Sequence, residues 1–77
     1  MIKVKLKKGI RFFNEENTNF DIKVGEELFI KDRELKDTNI KAAILKGTLE
    51  IVEGEAIISI KGHKYAISPK EIKALEV

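Results

Sequence analysis

Leu49-Glu50-Ile51-Val52-Glu53-Gly54-Glu55-Ala56-Ile57-Ile58-Ser59-Ile60-Lys61-Gly62-His63-Lys64-Tyr65-Ala66-Ile67 is the stretch that decides the fold. Its Ile, Val and Tyr residues favour the pleated, half-buried surface of a strand, and its glycines recur at the spacing of tight turns. The pattern predicts three consecutive strands, Leu49 to Glu53, Ala56 to Lys61 and Lys64 to Ile67, joined at Gly54-Glu55 and Gly62-His63. Gly as the first central residue suits a two-residue type II′ turn, which needs a positive φ there. A meander is the expected result.

Upstream, Asp37 or Thr38 can accept a hydrogen bond from the first free N–H groups of a helix. Ile40, Ala43 and Ile44 share one face, and Gly47 stands where a left-handed residue ends the helix, which places it near residues 38–46. Earlier still, Ile2, Val4 and Leu6 alternate with Lys3, Lys5 and Lys7, the period of a strand with one wet face. Ile10 to Phe13 and Phe20 to Val24 read as a hairpin around the polar turn Asn14 to Asn19. Leu28 to Ile30 forms another short strand before the charged stretch Lys31 to Asp37.

Downstream, Ser68-Pro69-Lys70-Glu71 has the order of a capping box, with Ser at N-cap, Pro at N1 and Glu at N3. Ile67 and Ile72 complete a hydrophobic staple, so a short C-terminal helix is expected from Pro69. Together these elements predict one small domain over residues 1–77, mainly β with short helices. The expected architecture is a small curled antiparallel sheet or a partly open barrel.

Length limits what such a chain can do. Seventy-seven residues support one modest core, and without a single Cys no disulfide can staple it. The core must hold by packing within the chain or against a neighbour. Charged residues make up 36% of the chain, both signs are interspersed and Gln is absent, a profile shared by thermophile proteins and by products of AT-rich genomes. No apolar run is long enough to span a bilayer, and the N-terminus lacks the apolar core of a signal peptide, which leads to the expectation of a cytoplasmic or virion protein without membrane insertion.

Catalytic chemistry needs a nucleophile, base or metal set within reach of one another. Ser68 is taken up by the predicted cap, Ser59 lies in an Ile-rich strand, and His63, the one histidine, sits in a predicted turn with no Cys to share a metal. Glu50, Glu53 and Glu55 straddle a turn and read as a solvated acidic rim. The expectation is therefore a non-enzyme with no catalytic, cofactor-binding or metal-binding residues and no cofactor.

Two features point to partners. Phe12 and Phe13 are adjacent, so in a strand they face opposite ways and one must leave the core, as an interaction residue for other protein subunits in a homo-oligomer or larger assembly. Lys3, Lys5, Lys7, Lys8 and Arg11 form a basic run that either follows a nucleic-acid backbone or guards a sheet edge. The net charge of +2 does not favour nucleic acid by itself.

The motifs carry two family resemblances. From Phe20 to Gly54, the order Val24-Gly25-Glu26-Glu27, a strand, Asp32 to Asp37, a short helix and Lys46-Gly47-Thr48-Leu49-Glu50-Ile51-Val52-Glu53 resembles small virion or assembly proteins of tailed phages. From Gly54 to Val77, Ile57 to Lys61, Gly62, Tyr65-Ala66-Ile67, Glu71-Ile72 and Leu75-Glu76-Val77 are similar to the end of small barrel-type accessory proteins of ferrous-iron transport. The first implies a structural assembly module and the second an accessory domain of a metal-ion transporter. Both imply a small barrel used for docking.

Overall fold

A computed structural model describes residues 2–15 and 19–75 of the chain. Among the described residues eight strands and two helices occur in the order β1 (Ile2–Leu6), β2 (Arg11–Asn14), β3 (Phe20–Lys23), β4 (Glu27–Ile30), α1 (Asp32–Leu35), α2 (Thr38–Lys46), β5 (Leu49–Glu53), β6 (Ala56–Ile60), β7 (His63–Ile67) and β8 (Ile72–Leu75). The strands form three small antiparallel sheets, β4-β1-β5, β2-β3 and β6-β7-β8, and none of them closes into a barrel. A mainly β domain with short helices and antiparallel strands is what the periodicity predicts, and its strands divide among three small ladders.

Alternation explains the first sheet. Ile2, Val4 and Leu6 are buried, and β1 lies in the centre, with Val4 opposite Leu28 on one side and Ile51 on the other. β1 is therefore not a guarded edge. Ile30, Leu49 and Ile51 from its neighbours join the same core, to which β2-β3 adds Phe20 and Ile22, α2 adds Ile40, Ala43 and Ile44, and the third sheet adds Ile58 and Ile67.

Helix α2 forms where its caps place it. Asp37 Oδ1 accepts hydrogen bonds from the N–H groups of Asn39 at 2.9 Å and Ile40 at 3.3 Å. At the other end Gly47 has φ +83°, and the Gly47 and Thr48 amides donate back to the carbonyls of Ile44 and Ala43, a Schellman ending. The charged stretch after β4 holds a helix that the apolar pattern does not announce. In α1 the buried Glu34 carboxylate accepts from the Lys31 N–H at 2.8 Å and closes a single turn.

The largest departures from the sequence pattern lie in the third sheet. Leu49 to Glu53 pairs with β1 rather than with Ala56 to Ile60, so the meander is β6-β7-β8, one strand later than the glycines suggest. The β6-β7 turn is centred on Lys61 and Gly62, with φ +51° and +81°, which is the sign pattern of type I′ rather than II′. This register sets Ser59 opposite Lys64 and Ile60 opposite His63. A turn at Gly62-His63 would have placed Lys61 directly against Lys64, a like-charge pair.

No helix starts at Pro69. Ile72–Leu75 is strand β8, paired with β7 from Ile67↔Ile72 to Lys64↔Leu75. Ser68 closes this hairpin instead of capping a helix: its N–H and its Oγ both donate to the Glu71 carbonyl, at 3.0 and 3.1 Å. Pro69 suits the first turn position as well as it suits N1, because both need φ near −65°.

Candidate interaction surfaces

The β2-β3 ribbon separates Phe12 from Phe13 as strand geometry requires. Phe12 turns inward and meets Phe20 edge to face, with ring centroids 6.1 Å apart. Phe13 turns outward and is 49% exposed. Its ring lies under Arg11, whose Cζ is 4.8 Å from the ring centroid. Arg11 also grips Asp21 in a two-pronged pair, Nε to Oδ1 at 2.8 Å and Nη2 to Oδ2 at 2.7 Å. The hydrogen bond from Arg11 is the main reason the Asp21 carboxyl sits below its ordinary range, and the same bond raises Arg11.

Beyond Arg11 and Lys23 the ribbon continues by one pair. The Val24 N–H donates to the Ile10 carbonyl at 2.8 Å, bringing together two apolar residues that are 63% and 81% exposed. Ile10, Phe13 and Val24 thus leave apolar surface in water on one ribbon, as Phe29, Ile57 and Ile72 do on the other two sheets.

The basic run is distributed differently from what its sequence suggests. Lys3 and Lys5 do share the outer face of the first sheet, but β4 and β5 interleave acids between them. Lys3 Nζ lies 3.8 Å from Glu27, 3.9 Å from Glu53 and 5.2 Å from the centre of the Phe29 ring. Lys5 stands between Glu27 and Glu50 in register, and Lys7 Nζ is 3.4 Å from Glu50. Lys8 donates to the Lys46 carbonyl at 3.3 Å, a cation at the C-terminus of α2. Lys3 and Lys7 thus have carboxylates from other strands within 4 Å, Arg11 has one from its hairpin partner, and Lys8 meets a backbone carbonyl.

Glu50 and Glu53 are thus partners of lysines rather than an acidic rim, whereas Glu55 is exposed between β5 and β6. His63 is exposed at the start of β7, and Ser59, on β6, uses its carbonyl to accept from Lys41 Nζ at 2.6 Å. Among the described residues no three His, Cys, Asp or Glu side chains come together in a metal-binding arrangement, and no helix is long and apolar enough to cross a membrane.

The third sheet carries a surface that the sequence pattern did not reveal. Register puts Ile57, Ser59, Lys64, Ala66, Lys73 and Leu75 on the face opposite the core. Its signal in the sequence was the last stretch of lysines, Lys61, Lys64, Lys70 and Lys73, set against Glu71 alone between residues 56 and 75. Comparison with protein-family models, with curated proteins and with solved structures finds no match for this chain.

Proposed function

We propose that this protein is a non-catalytic docking module that joins protein subunits, first of all further copies of itself, into an assembly through the β2-β3 ribbon. The observation that carries this reading is the exposure of Ile10, Phe13 and Val24 on the two-stranded β2-β3 ribbon. A chain this rich in charge has other side chains to place there, and apolar residues left exposed on one ribbon gain by being covered. The ribbon also carries both signs, Arg11 and Lys23 against Asp21, so two copies meeting through this face do not repel. A tailed-phage particle is the assembly that the pattern from Phe20 to Gly54 supports.

Sedimentation velocity tests the reading. The expected result is a mass above the monomer at high micromolar concentration, returning to the monomer in Phe13→Lys and Ile10→Lys with the circular dichroism melt unchanged. A wild-type protein that stays monomeric throughout overturns it.

A further inference from the structure

One of the two edge strands of the third sheet, β8, borders the outer face that carries Lys64 and Lys73, while the other, β6, lies a strand further from Lys73. β8 has β7 on one side and no strand on the other among the described residues. Lys61, Lys64, Lys70 and Lys73 have no carboxylate partner among those residues, in contrast to Lys3, Lys7 and Arg11. Lys64 and Lys73 occupy neighbouring positions on adjacent strands, since Lys64 is opposite Leu75 and Lys73 opposite Ala66. On the same face but at the far strand β6, Ile57 is 66% exposed and lines an open hollow of about 450 Å³ with Ala66, Lys73, Glu55 and Glu71, so the positive character is carried by Lys64 and Lys73 nearer β8 and not by the hollow.

We infer that β8 is a docking edge for an acidic, extended segment of another protein, which adds as a fourth strand with carboxylates facing Lys73 and, across β8, Lys64, and an apolar side chain beside Leu75. Three observations select this occupant. An unpaired edge offers backbone N–H and C=O groups to a strand and to nothing else so readily. Lysines on that edge and face repel a second copy, whose own Lys73 would approach, and an uncharged strand gains nothing from them, so the charge selects acidic partners. Nucleic acid is disfavoured because this face has no aromatic ring for bases to stack on: Tyr65 pairs with Ile58 on the opposite, core-directed side. Apolar Ile57, Ala66 and Leu75 between the lysines also interrupt a phosphate track. This surface is separate from the β2-β3 ribbon, and the inference stands whether or not that ribbon joins copies.

The probes are a short labelled peptide alternating Glu and Val, its Lys-Val counterpart and labelled oligothymidine, each titrated at low salt by fluorescence anisotropy with amide shifts followed by NMR. The Glu-Val peptide is expected to bind and to move the amides of Ile72–Leu75. Its affinity should fall about tenfold in Lys64→Glu/Lys73→Glu, two exposed ion pairs reversed, and less in the neutral Lys64→Gln/Lys73→Gln. The Glu variant should then accept the Lys-Val peptide, a rescue that loss of folding cannot produce. Equal binding of the two peptides by wild type, shifts confined to the β2-β3 ribbon, no binding at millimolar peptide, or tighter binding of oligothymidine would each overturn the inference.

Discussion

The sheets β4-β1-β5 and β6-β7-β8 are built from the same material, Ile and Lys in alternation, and put it to different uses. In the first, a central strand has neighbours on both sides, its apolar face is sealed and its lysines meet Glu27, Glu50 and Glu53. In the second, consecutive strands fold on themselves, the last lies open, and its lysines meet water. Composition and period are therefore poor guides to whether a charged face is neutral. The deciding factor is which distant strand arrives alongside.

Truncating one buried and one peripheral Ile tests that contrast most strongly. Ile30→Ala, in the sealed sheet, should cost about 2–5 kcal/mol by removing fully buried methyl groups and leaving a cavity. Ile72→Ala, on the open strand, should cost less than about 1 kcal/mol. Urea midpoints compare them, and equal losses would mean that both sheets bear the core alike.

A second pair of variants separates a helix cap from a turn. Asp37→Ala removes the acceptor for two amides at the start of α2 and should cost about 1–2 kcal/mol. Ser68→Ala removes one exposed hydrogen bond in a hairpin and should cost about 0.5–1 kcal/mol. Should Ser68→Ala prove the more damaging, the residues after Pro69 are helical and β8 is not a strand. A third change works in the favourable direction. Lys61 holds φ +51°, which Asn tolerates better, so Lys61→Asn should raise stability by about 0.5 kcal/mol in the same assay.

The smallest effect concerns pH. Asp21 has its carboxyl pKa lowered in the folded protein, so its pair with Arg11 stabilises above the unfolded value near 3.8 and is lost as pH falls through the folded value. The difference in melting temperature between wild type and Arg11→Ala should be level from neutrality to about pH 4 and shrink below it. Its ion-pair part should also shrink with salt. A gap that persists unchanged in acid would assign the effect to Arg11 packing on Phe13 instead.

Local signals in the sequence carried most of the element types but few of their partners. Asp37 and Gly47 bracket α2 because a cap acts within one turn, and Ile2, Val4 and Leu6 reveal β1 because alternation is a property of the strand itself. The separation of Phe12 from Phe13 was legible for the same reason. Which strands pair was not, since Val4 opposite Ile51 leaves no mark on either segment. Ser68 to Glu71 shows the limit most clearly. Those four residues satisfy both a helix start and a two-residue turn, and the residues C-terminal to them make the choice. Pairing with β7, from Ile67↔Ile72 to Lys64↔Leu75, satisfies the backbone of Ile72–Leu75 at once. The ion pairs of Lys3 and Lys7 were illegible for the reason that β1-β5 pairing was, because Glu27, Glu50 and Glu53 come from elsewhere in the chain.

The central place of β1 also sets an order of assembly. Leu6 meets Leu49 and Lys3 meets Glu53, so closing this ladder means bringing together segments with most of the described chain between them, at a loop-closure entropy that the β6-β7 and β7-β8 hairpins escape. The hairpins can flicker into shape from nearest neighbours, while the strand that seals the core must wait for a partner far along the chain. Until β5 arrives, Ile2, Val4 and Leu6 form a sticky ribbon without its second flank. The rate-limiting event in folding is then the capture of β1 by β5, and a crosslink that tethers those two strands in the unfolded chain would speed it.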